Sequence, residues 1–136
     1  ATVSGARVSE LTYHVPIPRV QTPIVAVAVP DNADAAMRSA DVAAERVLAN
    51  PGRTERAAQV SAVAAARLAA GCTCVAGALV RADTATLMSI AQRDRVRAVE
   101  ALPPDAAYGR IAITPLLPEQ ADTTAPGPDD GAVPAR

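Results

Sequence analysis

The chain has 136 residues, 50% apolar side chains and a formal net charge of −1, enough for a single domain with a real core. It contains 33 alanines, all 13 of its basic residues are arginine, and lysine, phenylalanine and tryptophan are absent. Without lysine there is no Schiff-base chemistry and no P-loop lysine. Two tyrosines offer no stacking platform for single strands, and a charge this balanced argues against a phosphate-backbone binder, so no nucleic-acid partner is expected.

In chain order, residues 1–23 are expected to form an N-terminal edge strand and a proline-rich connection. Leu11, Tyr13, Val15 and Ile17 alternate with Thr12 and His14, the period of a half-buried strand, and Pro16 and Pro18 push that strand to an edge. Residues 24–117 are expected to be one α+β domain. Ile24 to Val29 is a short β-branched run between prolines and reads as a strand buried on both faces. Asp31-Asn32 supplies a helix cap, and Ala36, Met37, Ala40, Ala44, Val47 and Leu48 recur at helical spacing until Asn50-Pro51-Gly52. Thr54 with Glu55 starts a second helix that ends at Gly71, giving an αα-hairpin.

Cys72 to Val80 reads as a second two-sided strand, adjacent to the first. Asp83 then caps a helix carrying Leu87, Met88, Ile90 and Ala91. Val96 to Ala101 is expected to return to the sheet, and Arg110 to Thr114 to add a short strand. From residue 118 to 136 prolines alternate with Gly, Thr and Asp, and a tail that is disordered, or ordered only against a partner, is expected.

On the two inner strands, the small face of Ala26, Ala28, Cys72, Cys74, Ala76 and Ala78 is expected to dock the alanine-rich helices. The larger face, with Val25, Val27, Val29, Val75 and Leu79, would then need cover from the Leu11 to Ile17 segment, a second copy of the chain or a protein partner. The order of elements gives split βαβ crossovers in a ferredoxin-like α/β sandwich. It would have an antiparallel or mixed sheet of about four to five strands and roughly three helices on one face.

Val75-Ala76-Gly77-Ala78-Leu79-Val80, a helix starting near Thr84-Ala85-Thr86-Leu87, and then Val96-Arg97-Ala98-Val99-Glu100 resemble the second half of the subtilase propeptide and its related peptidase-inhibitor domains. The resemblance implies the same ferredoxin-like fold and, as an alternative function, a protease inhibitor or intramolecular chaperone. The family usually carries an aromatic after the glycine of its strand, where this chain has Ala78, and it ends near its last strand, whereas this chain runs on well past Glu100.

Cys72-Thr73-Cys74 is the sharpest local feature, with both side chains on one strand face near the upper limit of disulfide reach. A local disulfide is expected there, and thiol redox chemistry at Cys72 and Cys74 is a third functional reading. His14, the only histidine, is expected on the surface. The acidic residues Asp31, Asp34, Glu55 and Asp83 sit at helix starts, where the helix dipole accounts for them. Arg93, Arg95 and Arg97 read as a solvated strand entrance.

No catalytic constellation, metal-ligand set or cofactor fingerprint occurs in the sequence. The longest alanine-rich stretch, 57–70, is interrupted by Gln59, Ser61 and Arg67, so no membrane insertion is expected within the chain. The arginine-for-lysine bias resembles that of high-GC bacteria such as actinobacteria. With Ala1 first, a start methionine is expected to lie outside the chain. The reading is a non-enzymatic, extracytoplasmic interaction or sensor domain of a secreted or membrane-anchored protein.

Overall fold

A computed structural model describes residues 5–30 and 33–135. The elements are strand β1 (Arg7–His14), strand β2 (Ile24–Ala28), helix α1 (Ala33–Ala49), helix α2 (Glu55–Ala69), strand β3 (Val75–Arg81) and helix α3 (Thr84–Ala91). The fold is therefore α+β. The expected Asp31-Asn32 cap lies outside the described residues.

The three strands form one sheet in the order β2-β1-β3, and β1 is antiparallel to both neighbours. Consequently β2 and β3 run parallel to each other with β1 inserted between them, and the α1–α2 hairpin links them: a split βαβ unit. This corrects two expectations. β1 is the central strand rather than an edge, because Pro16 and Pro18 fall after the ladder has ended at His14 and interrupt neither side of it. The strands Ile24–Ala28 and Val75–Arg81 are the outer ones and do not touch.

The sheet also has three strands among the described residues, not four to five. Val96–Ala101 and Arg110–Thr114 have no strand structure. Instead the Arg97 guanidinium donates to the carbonyl oxygens of Leu117 (3.1 Å) and Gln120, tying this segment to the chain that follows it.

Helix ends follow the local chemistry. The Thr54 hydroxyl accepts from the Ala57 N–H at 3.1 Å and starts α2. At the other end Gly71 adopts φ +79°, its N–H bonds Leu68 O, and the Cys72 N–H bonds Arg67 O, the paired closure of a Schellman motif. Asp83 caps α3 by accepting from the Thr86 N–H at 2.7 Å, and the Thr86 backbone and side-chain hydrogen bonds hold its carboxyl below the usual range.

The core lies between the sheet and the hairpin. Tyr13, Val15 and Val27 meet Ala43, Ala44 and Val47 of α1 and Ala64, Ala65 and Leu68 of α2, with Cys74 in the same cluster. The Tyr13 hydroxyl donates to Ser39 Oγ at 2.6 Å, since the single Ser39 hydrogen goes to Ala36 O at 2.5 Å. α1 lies directly on β1 and β2, and α2 packs along α1. α3 packs on no other helix or strand among the described residues, so three helices do not back the sheet.

The faces of β2 are the reverse of the expectation. Val25, Val27 and Val29 point into the core, with Val27 only 3% exposed, whereas Ile24, Ala26 and Ala28 face out. The reason is volume. The helical side of the core is built mostly from alanine, so the sheet contributes Tyr13 and the valines to reach normal packing density.

Candidate functional site

Among the residues singled out in the sequence, Cys72 and Cys74 form a disulfide with their α-carbons 5.3 Å apart. The turn that follows α2 makes this possible. Gly71 reverses the chain, and the Cys74 N–H folds back onto Cys72 O at 2.9 Å, which shortens the separation below that of an extended strand and delays the start of β3 to Val75. Cys74 is buried against the core, and its carbonyl accepts from the His14 N–H at 2.9 Å.

Of the residues expected to meet a partner, Val27 is instead a core residue beneath α1 with Val25 partly buried beside it, and Val29 is buried just beyond β2. Val75 and Leu79 on β3 lack that cover: Val75 is 52% exposed and Leu79 half-buried. No hydrogen bond beyond those to β1 reaches β3 among the described residues, so its outer edge is open. The helix that follows immediately, α3, has no buried residue, and Met88 is 60% exposed. By contrast, β2 is met from outside by Arg46 of α1, which donates to Ala26 O.

His14 is not a surface residue. It is 4% exposed on the sheet face opposite the helices and is covered by the chain around residues 115–120. Pro115 lies over Gly77, where an added Cβ would stand 2.8 Å from the proline ring. Thr22 Oγ1 donates its one hydrogen to Val15 O at 2.7 Å, so at 3.1 Å from His14 Nδ1 it accepts, and Nδ1 carries a hydrogen. On the other side of the ring, Nε2 stands 2.9 Å from Glu119 Oε1. The ring ties the C-terminal segment to the sheet. The hydroxyl in its hydrogen bonds, Thr22 Oγ1, has its hydrogen committed to Val15 O, and the two sulfurs near its backbone are bonded to each other. Among the described residues no three metal-ligating side chains converge.

A second polar cluster has no signal in the strand and helix patterns. The Arg19 guanidinium grips both carboxylate oxygens of Asp130, with Nε 2.7 Å from Oδ1. Asp129 Oδ1 accepts from the Gln21 N–H at 3.0 Å and from Arg56 at 3.1 Å, and the Gln21 and Arg56 bonds hold the Asp129 carboxyl below its usual range. Residues 118–135 have neither helix nor strand, but through these contacts residues 127–133 lie against α2 and the 17–21 turn. A signal did exist in the sequence: the Asp-Asp-Gly run of the tail is complementary in charge to Arg19 and Arg56, although nothing in the sequence pairs them.

No protein-family model matches the chain, and no curated protein or solved structure was found to be similar to it.

Proposed function

We propose that this chain is a non-enzymatic protein-interaction domain that works outside the cytoplasm and associates with a second copy of itself through the outer edge of β3. The observation that carries the reading is the open β3 edge followed at once by α3, a helix that packs on no other helix or strand among the described residues and exposes Met88. Open edges of apolar strands recruit other strands unless charge or cover prevents it, and two-fold pairing is the commonest form of association. An antiparallel pairing centred on Ala78 joins the whole of Val75–Arg81 to its counterpart. It places Arg81, the one charged residue of the strand, opposite Val75 of the second copy rather than opposite itself. The Cys72–Cys74 disulfide supports an oxidising compartment.

A ferredoxin-like sandwich is the architecture this arrangement approaches. The split βαβ unit supplies three strands, and the second copy's β3 supplies a fourth.

Sedimentation of the full chain at micromolar concentrations tests the proposal. A dimer that becomes a monomer in Val75→Lys/Met88→Lys is expected, since both side chains are more than half exposed and their replacement leaves the core alone. A wild-type monomer at every concentration overturns it. Saturable, tight inhibition of a subtilisin-like protease would transfer the assignment to the inhibitor reading. Turnover of a disulfide substrate that vanishes in Cys72→Ser would transfer it to thiol redox chemistry.

A further inference from the structure

We infer that the groove between the 17–21 turn and α2 is a recognition site for an extended acidic segment of a partner protein, Asp-Asp-Gly followed two residues later by an apolar side chain, and that the chain's own tail occupies it as a stand-in. The site is built in three parts.

The first is charge. Arg19 holds Asp130 through a two-pronged contact, and Arg56 Nη2 reaches Asp129 Oδ1 (3.1 Å), Asp129 O (3.3 Å) and Gly131 O (2.9 Å). Paired donors of this kind fix the orientation of a carboxylate as well as attract it. Gln21 adds its backbone N–H to Asp129 and its side-chain amide to Gly127 O at 2.7 Å.

The second is a steric filter. The Gly131 N–H donates to Arg19 O at 2.7 Å, bringing the two backbones so close that a Cβ at 131 would collide with Pro18 O and stand 2.8 Å from Arg19 O. Only glycine fits. Arg19 itself is held at φ +56°, the one non-glycine residue with positive φ among those described, and its carbonyl receives this bond. The third part is apolar: Val133 rests on the buried cluster of Ile17, Val20, Val60 and Val63.

Two observations mark the tail as an incomplete ligand. Arg56 Nε is buried without a hydrogen-bond partner, so the site has one more donor than the tail satisfies. Beside Val133 and Pro134, a groove of about 650 Å³ lined by Gln59, Ala62, Val63 and Ala66 of α2 stays open. A segment with a further acceptor near Arg56 and a side chain larger than valine at the apolar position would use both. The tail is held by ion pairs that are themselves exposed, and such pairs are individually weak and screened by salt. It keeps its place through tethering, which presents it to the groove at an effective concentration on the order of millimolar.

The test uses the full chain carrying Asp129→Ala/Asp130→Ala and a fluorescent peptide of residues 125–135, read by anisotropy. Saturable binding is expected, at least ten-fold tighter than to the wild-type chain and weaker at high salt. The same peptide with both aspartates changed to asparagine, or with Gly131→Ala, should bind at least ten-fold less well, and one with Val133→Leu should bind more tightly. Binding that ignores the aspartates and the glycine, or no binding to a variant whose melting transition is intact, overturns the inference. If the double variant does not fold, the wild-type chain serves. Excess peptide should then speed hydrogen exchange at the Gly131 amide, and an unchanged exchange rate overturns the inference equally.

Discussion

His14 Nε2 lies 2.9 Å from Glu119 Oε1, joining the central strand to a segment 105 residues away in the chain. The contact faces few other charges. Glu10 shares the alternation of β1, β2 has no ionisable residue, β3 has only Arg81 at its far end, and Arg97 holds the backbone of the turn that carries Glu119.

Glu119→Gln keeps a hydrogen-bonding partner for the ring at this position. The variant should keep the segment docked and cost less in denaturant unfolding than Glu119→Ala, which removes the partner. His14→Ala removes both bonds and should cost about 1–3 kcal/mol in denaturant unfolding. A cost near zero would show that the residue 115–120 cover is not anchored by the ring.

Val27→Asp should abolish the cooperative melting transition. Val27 is 3% exposed beneath α1, and no cation of the core cluster stands ready to pair with a new carboxylate. An unpaired buried charge costs several kcal/mol, about what a domain of this size has to lose. Ala26→Asp, one position along and on the outward face, is the control and should melt close to wild type.

Replacing both cysteines by alanine should change stability by no more than about 1–2 kcal/mol, because a loop closed over so few residues restrains the unfolded chain very little. Mass measurement after alkylation, with and without reductant, checks the bond itself. Two alkylated thiols without reductant, in protein from an oxidising compartment, would remove the disulfide and the main support for an extracytoplasmic setting.

Acid should release the tail. The Gln21 N–H and Arg56 lower the Asp129 carboxyl when it is docked, so this carboxyl favours docking above its free-chain value. That contribution is lost as pH falls through the lowered, docked value, below about pH 4. Hydrogen exchange at the Gly131 amide should show undocking in that window while the Val27 amide stays protected. Exchange at Gly131 that does not depend on pH, after correction for the intrinsic rate, would mean the charge contacts contribute nothing.

Local chemistry was legible in the sequence wherever the cause lies within a few residues. Thr54, Gly71 and Asp83 mark their helix ends correctly because a cap is a bond between near neighbours. The αα-hairpin follows from the alanine and valine spacing, and the close pair Cys72 and Cys74 needs only the turn at Gly71 to meet. Tertiary structure decided what depends on distant partners. A period-2 pattern says that a strand has two faces but not which one is inward, and the choice fell to volume: an alanine-built helical layer requires Val25 and Val27 rather than Ala26 and Ala28. Position within the sheet was equally out of reach, since β1 becomes central only when β3, more than 60 residues later, supplies its second ladder. His14 reads as surface and the Asp129–Asp130 pair as tail in the sequence because Glu119, Arg19 and Arg56 reach them across more than 70 residues of chain, and only folding places those charges beside them.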